Sequence, residues 1–308
     1  MDVDSWIKEA TATLHQRLSP HSRGEVTGAL CPVCGKGKDR LVVFEEGNLW
    51  CRSCGHTGWW KNTDPQTRLE ERQKSEAETA ARQIRLLAVL KNNTQWREYN
   101  AAVTESSEKT LLWFSHGISQ QQIETWGLGW CAECPTAEIP SPSLTIPVFY
   151  RDDLLDIRHR LILDTNNGKY RSHLAGLTPS LFNLAALDHD QVLVVEGEKK
   201  TIITNSEQRH VVGMPGAQFT KQLKEELKTR KWMGELTLAL DPGMEALTNR
   251  LAAELAAMPG IAVRIADFWD KPDDVFLDFG PDVFNEVLKQ SRLWVHHGGK
   301  RHGANRIR

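Results

Sequence analysis

No run in this 308-residue chain approaches the roughly 18 consecutive apolar residues that carry a helix across a bilayer. The amino-terminal Met1-Asp2-Val3-Asp4 is acidic and lacks the apolar core of a secretion signal. These absences argue against membrane insertion and secretion, and a reducing, cytoplasmic compartment is expected. A strong charge of either sign is also missing. With 38 basic and 40 acidic residues the formal charge is −2, so no global field gathers polyanions and any nucleic acid must meet local patches. There is no G-x-x-x-x-G-K-[S/T] loop, which excludes a P-loop ATP motor, and no internal repeat. In a reducing compartment the six cysteines point to metal or free thiols before disulfides.

What is present suffices for two or three compact units, since 40% of the residues are apolar. Trp6, Ala10, Leu14 and Leu18 mark a short amphipathic helix that ends at Ser19-Pro20. Residues 64–110 are rich in Glu, Arg, Gln and Ala and read as a linking helix. Residues 110–130 read as two short helices with a turn at Gly117. The prolines of 135–142 mark a loop. Residues 144–163 alternate as a hairpin with Asp152-Asp153 at its turn. From 191 onward strands and helices alternate. Strands 192–195, 210–213, 236–240 and 261–266 precede helices 198–205, 218–230, 244–257 and a short 273–279. This pattern implies right-handed crossovers and a mainly parallel sheet. The last twenty residues, with Lys289, Arg292, Lys300, Arg301, Arg306 and Arg308, read as a basic tail.

Cys31-x2-Cys34 and Cys51-x2-Cys54 lie sixteen residues apart. A hairpin of 41–44 and 49–51 around Gly47-Asn48 brings the two pairs together, and four thiolates close a tetrahedral zinc site. Gly35 and Gly55 follow the pairs and suit backbone N–H groups folding back toward sulfur. Four protein ligands leave no open position, so this zinc is structural. The plainer alternative is a set of metal-free buried thiols. Arg40, Phe44, Trp50, Arg52, Trp59 and Trp60 interleave rings and cations, as a single-strand stacking platform does. The same rings could instead fill the small core of the ribbon. Cys131 and Cys134 read as two ordinary thiols.

Residues 191–204, QVLVVEGEKKTIIT, end a buried strand on an acid, Glu196, followed by Gly197. In open parallel sheets ligands bind beyond the carboxyl ends of strands. Asp241 ends strand 236–240 in the same way, and Asp273 and Asp274 follow strand 261–266 in FWDKPDDVF. Each acid alone could be a helix cap. Three at corresponding strand ends point to Mg²⁺ or Mn²⁺ held by carboxylates beside a phosphate. Arg158, Arg160, Lys169 and Arg171 cluster around Tyr170 as candidate phosphate ligands. Lys199 and Lys200, next to Glu196, are candidates for nucleotide phosphates. A solvated strand face and a solvated helical turn are the alternatives.

VVEGEKK, LALDPG and KPDDVF, in this order, resemble a Toprim domain. With the cysteine pairs upstream, the chain resembles bacterial and phage DnaG-type DNA primases over roughly 25 to 290. LLWFSHGISQQQIETWGLGW resembles the opening of the primase catalytic core, and IPVFYRDDLLDIRHRLI with GKYRSHLAGLTPSLFN its basic subdomain. The four-cysteine module is more similar to phage and mobile-element members.

The resemblance implies an α/β fold. A Toprim-type, mainly parallel sheet with flanking helices would follow a small β zinc ribbon and a mixed α+β basic subdomain. The expected division is a zinc-ribbon module at 1–62, a helical linker at 63–110, a basic subdomain at 111–185, a Toprim domain at 186–290 and a tail at 291–308. The implied activity is template-directed synthesis of short RNA primers on single-stranded DNA during replication of a phage, plasmid or other mobile element. Structural zinc, catalytic Mg²⁺ or Mn²⁺, nucleoside triphosphates and a separate replicative helicase accompany it. Glu196, Asp241 and Asp273 carry over as catalytic acids and metal ligands. Three positions depart from the pattern: Lys200 and Gly243 stand where the family has acids, and Lys271 where it often has one. A full second metal site therefore does not carry over. The departures keep two alternatives open, a Toprim nuclease and a non-catalytic single-stranded-DNA-binding replication adaptor.

Overall fold

The computed structural model describes residues 3–14, 18–20, 26–35, 41–45, 47–51, 55–60, 65–162 and 169–295. The chain divides into two compact units, 1–80 and 81–308.

The first unit opens with α1 (Val3–Leu14). Five antiparallel strands follow: β1 (Ser19–Pro20), β2 (Val26–Ala29), β3 (Leu41–Val43), β4 (Asn48–Cys51) and β5 (Thr57–Trp59), paired in sequence order. The expected hairpin around Gly47 is β3–β4. Ala10 of α1 is buried with Leu18, Leu41, Val43, Leu49 and Trp60, with Ile7 and Leu14 packed against them. Helix α2 (Pro65–Lys91) begins in this unit. Its early turns are almost wholly exposed and gain from i,i+4 pairs such as Arg72 Nε to Glu76 Oε1 at 2.9 Å.

In the second unit, the stretch expected as one linking helix is broken. After α2 come α3 (Gln95–Thr104) and α4 (Ser107–Phe114), then α5 (Gln120–Trp126) beyond the Gly117 turn. Helix α3 belongs to the packed unit: Trp96 meets Phe149 edge-on at 5.2 Å, and Asn100 Nδ2 donates to the Leu128 carbonyl. A capping box of Ser119 and Gln122 starts α5. Strands β6 (Gly129–Cys131), β7 (Ser143–Tyr150), β8 (Asp153–Leu161) and β9 (Tyr170–Ser172) form an antiparallel sheet in that order.

The alternating half forms as its pattern dictates. Its elements are β10 (Gln191–Glu196), α6 (Glu198–Thr204), β11 (His210–Met214), α7 (Thr220–Arg230), β12 (Gly234–Ala239), α8 (Glu245–Ala256), β13 (Ile261–Ile265), α9 (Pro272–Lys289) and β14 (Arg292–Leu293). The order is β11-β10-β12-β13-β14, parallel except for β14. Two findings depart from the sequence reading. Helix α9 does not stop at 279 but continues past a kink at Gly280, where φ is 83°. Residues 292 and 293, expected in a tail, add an edge strand, and Trp294 N donates to the Val263 carbonyl. Residues 296–308, with Lys300, Arg301, Arg306 and Arg308, lie outside the described residues.

The two sheets share a core. Ile202 and Ile203 of α6 are buried with Trp113, Ile118, Ile123, Leu144, Ile146 and Val148. The helix that follows Glu196 is thereby wedged between its own sheet and the antiparallel one.

Candidate metal and phosphate site

Strand β10 lies between β11 and β12 and is hydrogen-bonded on both sides. Its last residue is Glu196. Gly197 then takes φ 93°, a conformation that side chains resist, and turns the chain into α6. Asp241 follows β12, and Asp273 sits in the first turn of α9 beyond β13. All three acids thus stand at the carboxyl ends of adjacent strands. Burial and the Asp241 carboxylate push the Glu196 carboxyl above the usual range, while Lys200 pulls it back.

The expected lysines lie within this group. Lys199 Nζ is 2.9 Å from Asp273 Oδ2. Lys200 Nζ is 3.2 Å from Asp241 Oδ1 and 4.0 Å from Asp273 Oδ1. Neither of these Oδ1 atoms has a hydrogen bond, although both are buried; the Lys200 contacts are ion pairs without hydrogen-bond alignment. Two buried carboxylate oxygens without hydrogen bonds and a third carboxylate are the kind of donor set that Mg²⁺ or Mn²⁺ prefers. In donor chemistry the residues fit such an ion. In arrangement the three carboxylates are not drawn into one tight cluster: among the described residues, only the cysteines bring three ligand atoms within 4.8 Å of one another. An ammonium group lies between Asp241 and Asp273 instead.

Beside the acids stands a basic group whose centre, His116, the sequence reading missed. His116 Nε2 is 2.6 Å from Arg160 Nη1. Burial and the charges of Arg160, Lys199 and Lys169 hold its pKa down to about 4. A neutral ring therefore accepts from Arg160 of β8, and the charges of Lys199 in α6 and Lys169 before β9 reach the same ring. Their separation in sequence hid this grouping.

Two expected phosphate ligands stand elsewhere. Arg158 is only 4% exposed. Its guanidinium donates to Glu198 Oε1 at 3.1 Å and Ser172 Oγ at 3.0 Å, with Asp156 Oδ2 at 3.7 Å. It ties β8 to the first turn of α6 and is enclosed by protein groups rather than open to phosphate. Arg171 pairs across from His159, whereas Arg160 pairs across from Tyr170, so Arg171 and Arg160 lie on opposite faces of the sheet. Arg171 Nε is buried with no hydrogen-bond partner. Burial, then the Glu198 charge, raises the Tyr170 hydroxyl to about 12.

In the first unit, Cys31, Cys34 and Cys51 bring their sulfurs within 4.8 Å of one another. Cys34 Sγ and Cys51 Sγ are 3.7 Å apart. Gly35 N and Gly55 N, both glycines with positive φ, donate to the Cys31 and Cys51 carbonyls rather than to sulfur as expected. The cluster is competent to bind a metal ion, and its all-sulfur chemistry suits zinc. Cys54, Arg40 and Arg52 lie outside the described residues. The aromatics divide: Trp60 is buried and its Nε1 donates to the Phe44 carbonyl. Trp50 and Trp59 are 42% and 40% exposed. Trp50 pairs with Thr57, and Trp59 with Asn48, which places both rings on one face of β4–β5. Cys131 and Cys134 are buried and not joined in a disulfide, and Cys131 Sγ donates to the Glu133 carbonyl.

No family model matches the sequence, and no curated protein shows significant similarity to it. Solved structures do. The Aquifex aeolicus primase, comprising zinc-binding and RNA polymerase domains, superposes with a TM-score of 0.55 at 16% identity, covering 95% of this chain and 86% of the other. A DnaG primase catalytic domain bound to single-stranded DNA gives a TM-score of 0.51 at 16% identity over 69% of this chain and 81% of its own. The Escherichia coli primase catalytic core gives 0.51 at 16% identity over 68% and 80%. At these identities the likeness is one of fold. The chain is distantly related in structure to primase zinc-binding and RNA polymerase domains, with a helix-flanked mixed sheet resembling a Toprim core and a cysteine cluster suited to a zinc-ribbon-like subdomain.

Proposed function

We propose that the chain is a DNA primase that makes short RNA primers on single-stranded DNA during replication of a phage, plasmid or other mobile element. One observation carries the reading: Arg160, bonded to His116, and Lys199, paired with Asp273, bring cations beside the strand-end acids Glu196, Asp241 and Asp273. A phosphate-bearing nucleotide fits the first group, and phosphoryl transfer uses the second. Mg²⁺ or Mn²⁺ held by Glu196, Asp241 and Asp273 would supply positive charge to offset that of the transferring phosphoryl group. Glu196 would help hold that ion or accept the proton of the attacking 3′-hydroxyl. Arg160, Lys169 and Lys199 orient nucleotide or template phosphates, and Arg158 holds α6 in place behind them. In the first unit, zinc on Cys31, Cys34, Cys51 and Cys54 stiffens the ribbon, and Trp50 and Trp59 offer stacking faces to template bases. A separate replicative helicase exposes the template.

Incubation of the chain with labelled nucleoside triphosphates, single-stranded template and Mg²⁺ or Mn²⁺ tests this. Primers form with the wild type, and Glu196→Gln abolishes them while the melting profile is retained. Primer synthesis by that variant at the wild-type rate defeats the assignment. The Lys200 ammonium between Asp241 and Asp273 favours a second reading, a single-stranded-DNA-binding adaptor without chemistry. DNA binding by a wild type that makes no primers selects it.

A further inference from the structure

The acid site carries its own cations. Lys199 and Lys200 lie in the first turn of α6, where the helix dipole disfavours positive charge. Helix propensity alone would not place two ammonium groups there. Each instead reaches an acid from another strand end: Lys199 to Asp273, Lys200 to Asp241 and, more distantly, Asp273. The surroundings are partly enclosed, with Lys199 and Asp241 keeping 25% and 23% of their side chains exposed. The Lys200 side chain is 14% exposed and that of Asp273 4%, so these are not the loose pairs of a solvated surface. Three carboxylates (Glu196, Asp241, Asp273) and two ammonium groups leave a formal charge of 3 × (−1) + 2 × (+1) = −1. One divalent ion reverses that to +1. A second would bring it to +3.

We infer that the Lys200 ammonium is a tethered substitute for a divalent cation, so that the carboxylates accept no more than one metal ion. It occupies the space between Asp241 and Asp273, whose facing Oδ1 atoms have no hydrogen bonds. Two-ion sites for phosphoryl chemistry place their metals about 3.5–4 Å apart. An ammonium fixed among the same oxygens excludes one of those positions. The single remaining ion shares its ligands with Lys200, which lowers its affinity. This inference rests on the reading of the three acids as a cation site.

Manganese binding to the zinc-loaded full chain, followed by electron paramagnetic resonance, tests it without reference to catalysis. The wild type takes up no more than one Mn²⁺. Lys200→Asp takes up one more than the wild type. Lys200→Ala binds its first ion at least about tenfold more tightly, the scale expected from removing one unit charge a few ångströms away. Lys200→Arg keeps the wild-type stoichiometry. Should Lys200→Asp not fold, Lys200→Gln is titrated in its place, with the same tightening expected as for Lys200→Ala. Two Mn²⁺ per wild-type chain, or Lys200 variants with unchanged stoichiometry and affinity, overturn the inference. The primase reading fails separately: a wild type that makes no primers while Lys200→Asp gains an ion defeats that reading and leaves the inference standing.

Discussion

Arg158 and Glu198 form a nearly dry ion pair, 5% and 2% exposed in their side chains. Removing one partner of such a pair strands a charge, so Arg158→Ala is expected to cost about 3–5 kcal/mol of stability. The double variant with Glu198→Gln should cost less than the sum of the single changes. Urea unfolding of the four proteins measures this, and strict additivity would show that the pair is not coupled. His159 supplies a pH signature. Burial, with His173 and Arg158 nearby, holds its pKa down to about 3, against roughly 6.5 in an unfolded chain. Between those values the unfolded chain binds the extra proton, so stability is lost as pH falls through that window. His116 and His173 act with the same sign; Asp156, whose carboxyl burial pushes up, acts against them. The wild type should lose more stability between pH 7 and pH 5 than His159→Gln does, in urea melts at the two pH values. Equal losses would show that His159 is not held neutral. At this scale the strand-end acids were legible, because position on a buried strand dictates where its last residue points. His116 and Glu198 were not. Their partners stand 44 and 40 residues away, and no local pattern connects them.

Elements were more legible than contacts. The period change near residue 191 revealed the parallel sheet, since buried strands and amphipathic helices differ in hydrophobic spacing. The kinked extension of α9 was hidden because Gly280-Pro281 reads as a stop. Proline is tolerated at the start of a helical segment, where its missing N–H has no partner to lose. Phe284 beyond it is fully buried against Phe268 and Phe276, and this packing continues the helix. The short edge strand β14 was hidden for a similar reason, its pairing being dictated by β13 rather than by its own sequence. The close seating of α6 on β11 gives a test. A Cβ at Gly213 would meet Thr201 Oγ1 at 2.3 Å and the Gly197 carbonyl oxygen at 2.9 Å. Gly213→Ala should therefore destabilise by about 1–3 kcal/mol, the usual range for overpacking. By shifting α6 it should also loosen Lys200 from the carboxylates and so raise their affinity for Mn²⁺. Thermal melting and Mn²⁺ titration read the two effects.

Across the molecule, charge is local rather than global. With a formal net charge of −2, the proposed single-strand binding would rest on patches, and its salt dependence would count them. About five phosphate contacts give a slope of log affinity on log salt near −3.5, from about −0.7 per contact. Fluorescence anisotropy over a salt series measures it, and a flat response argues against the basic group. The two units give a second expectation at this scale. A strong chelator should melt the region around Cys31, Cys34 and Cys51, while residues 81–308 keep their protection in hydrogen exchange. Uniform loss of protection would show that the metal supports more than the first unit.

Glu196 ends a strand that is bonded to neighbours on both sides, whereas Lys199 and Lys200 reach the same place on four-carbon stems. The strand-borne wall of the site is therefore anchored by its sheet, whereas the lysine-borne wall is held by its ion pairs alone. The glutamate is the origin from which the ammonium positions are measured.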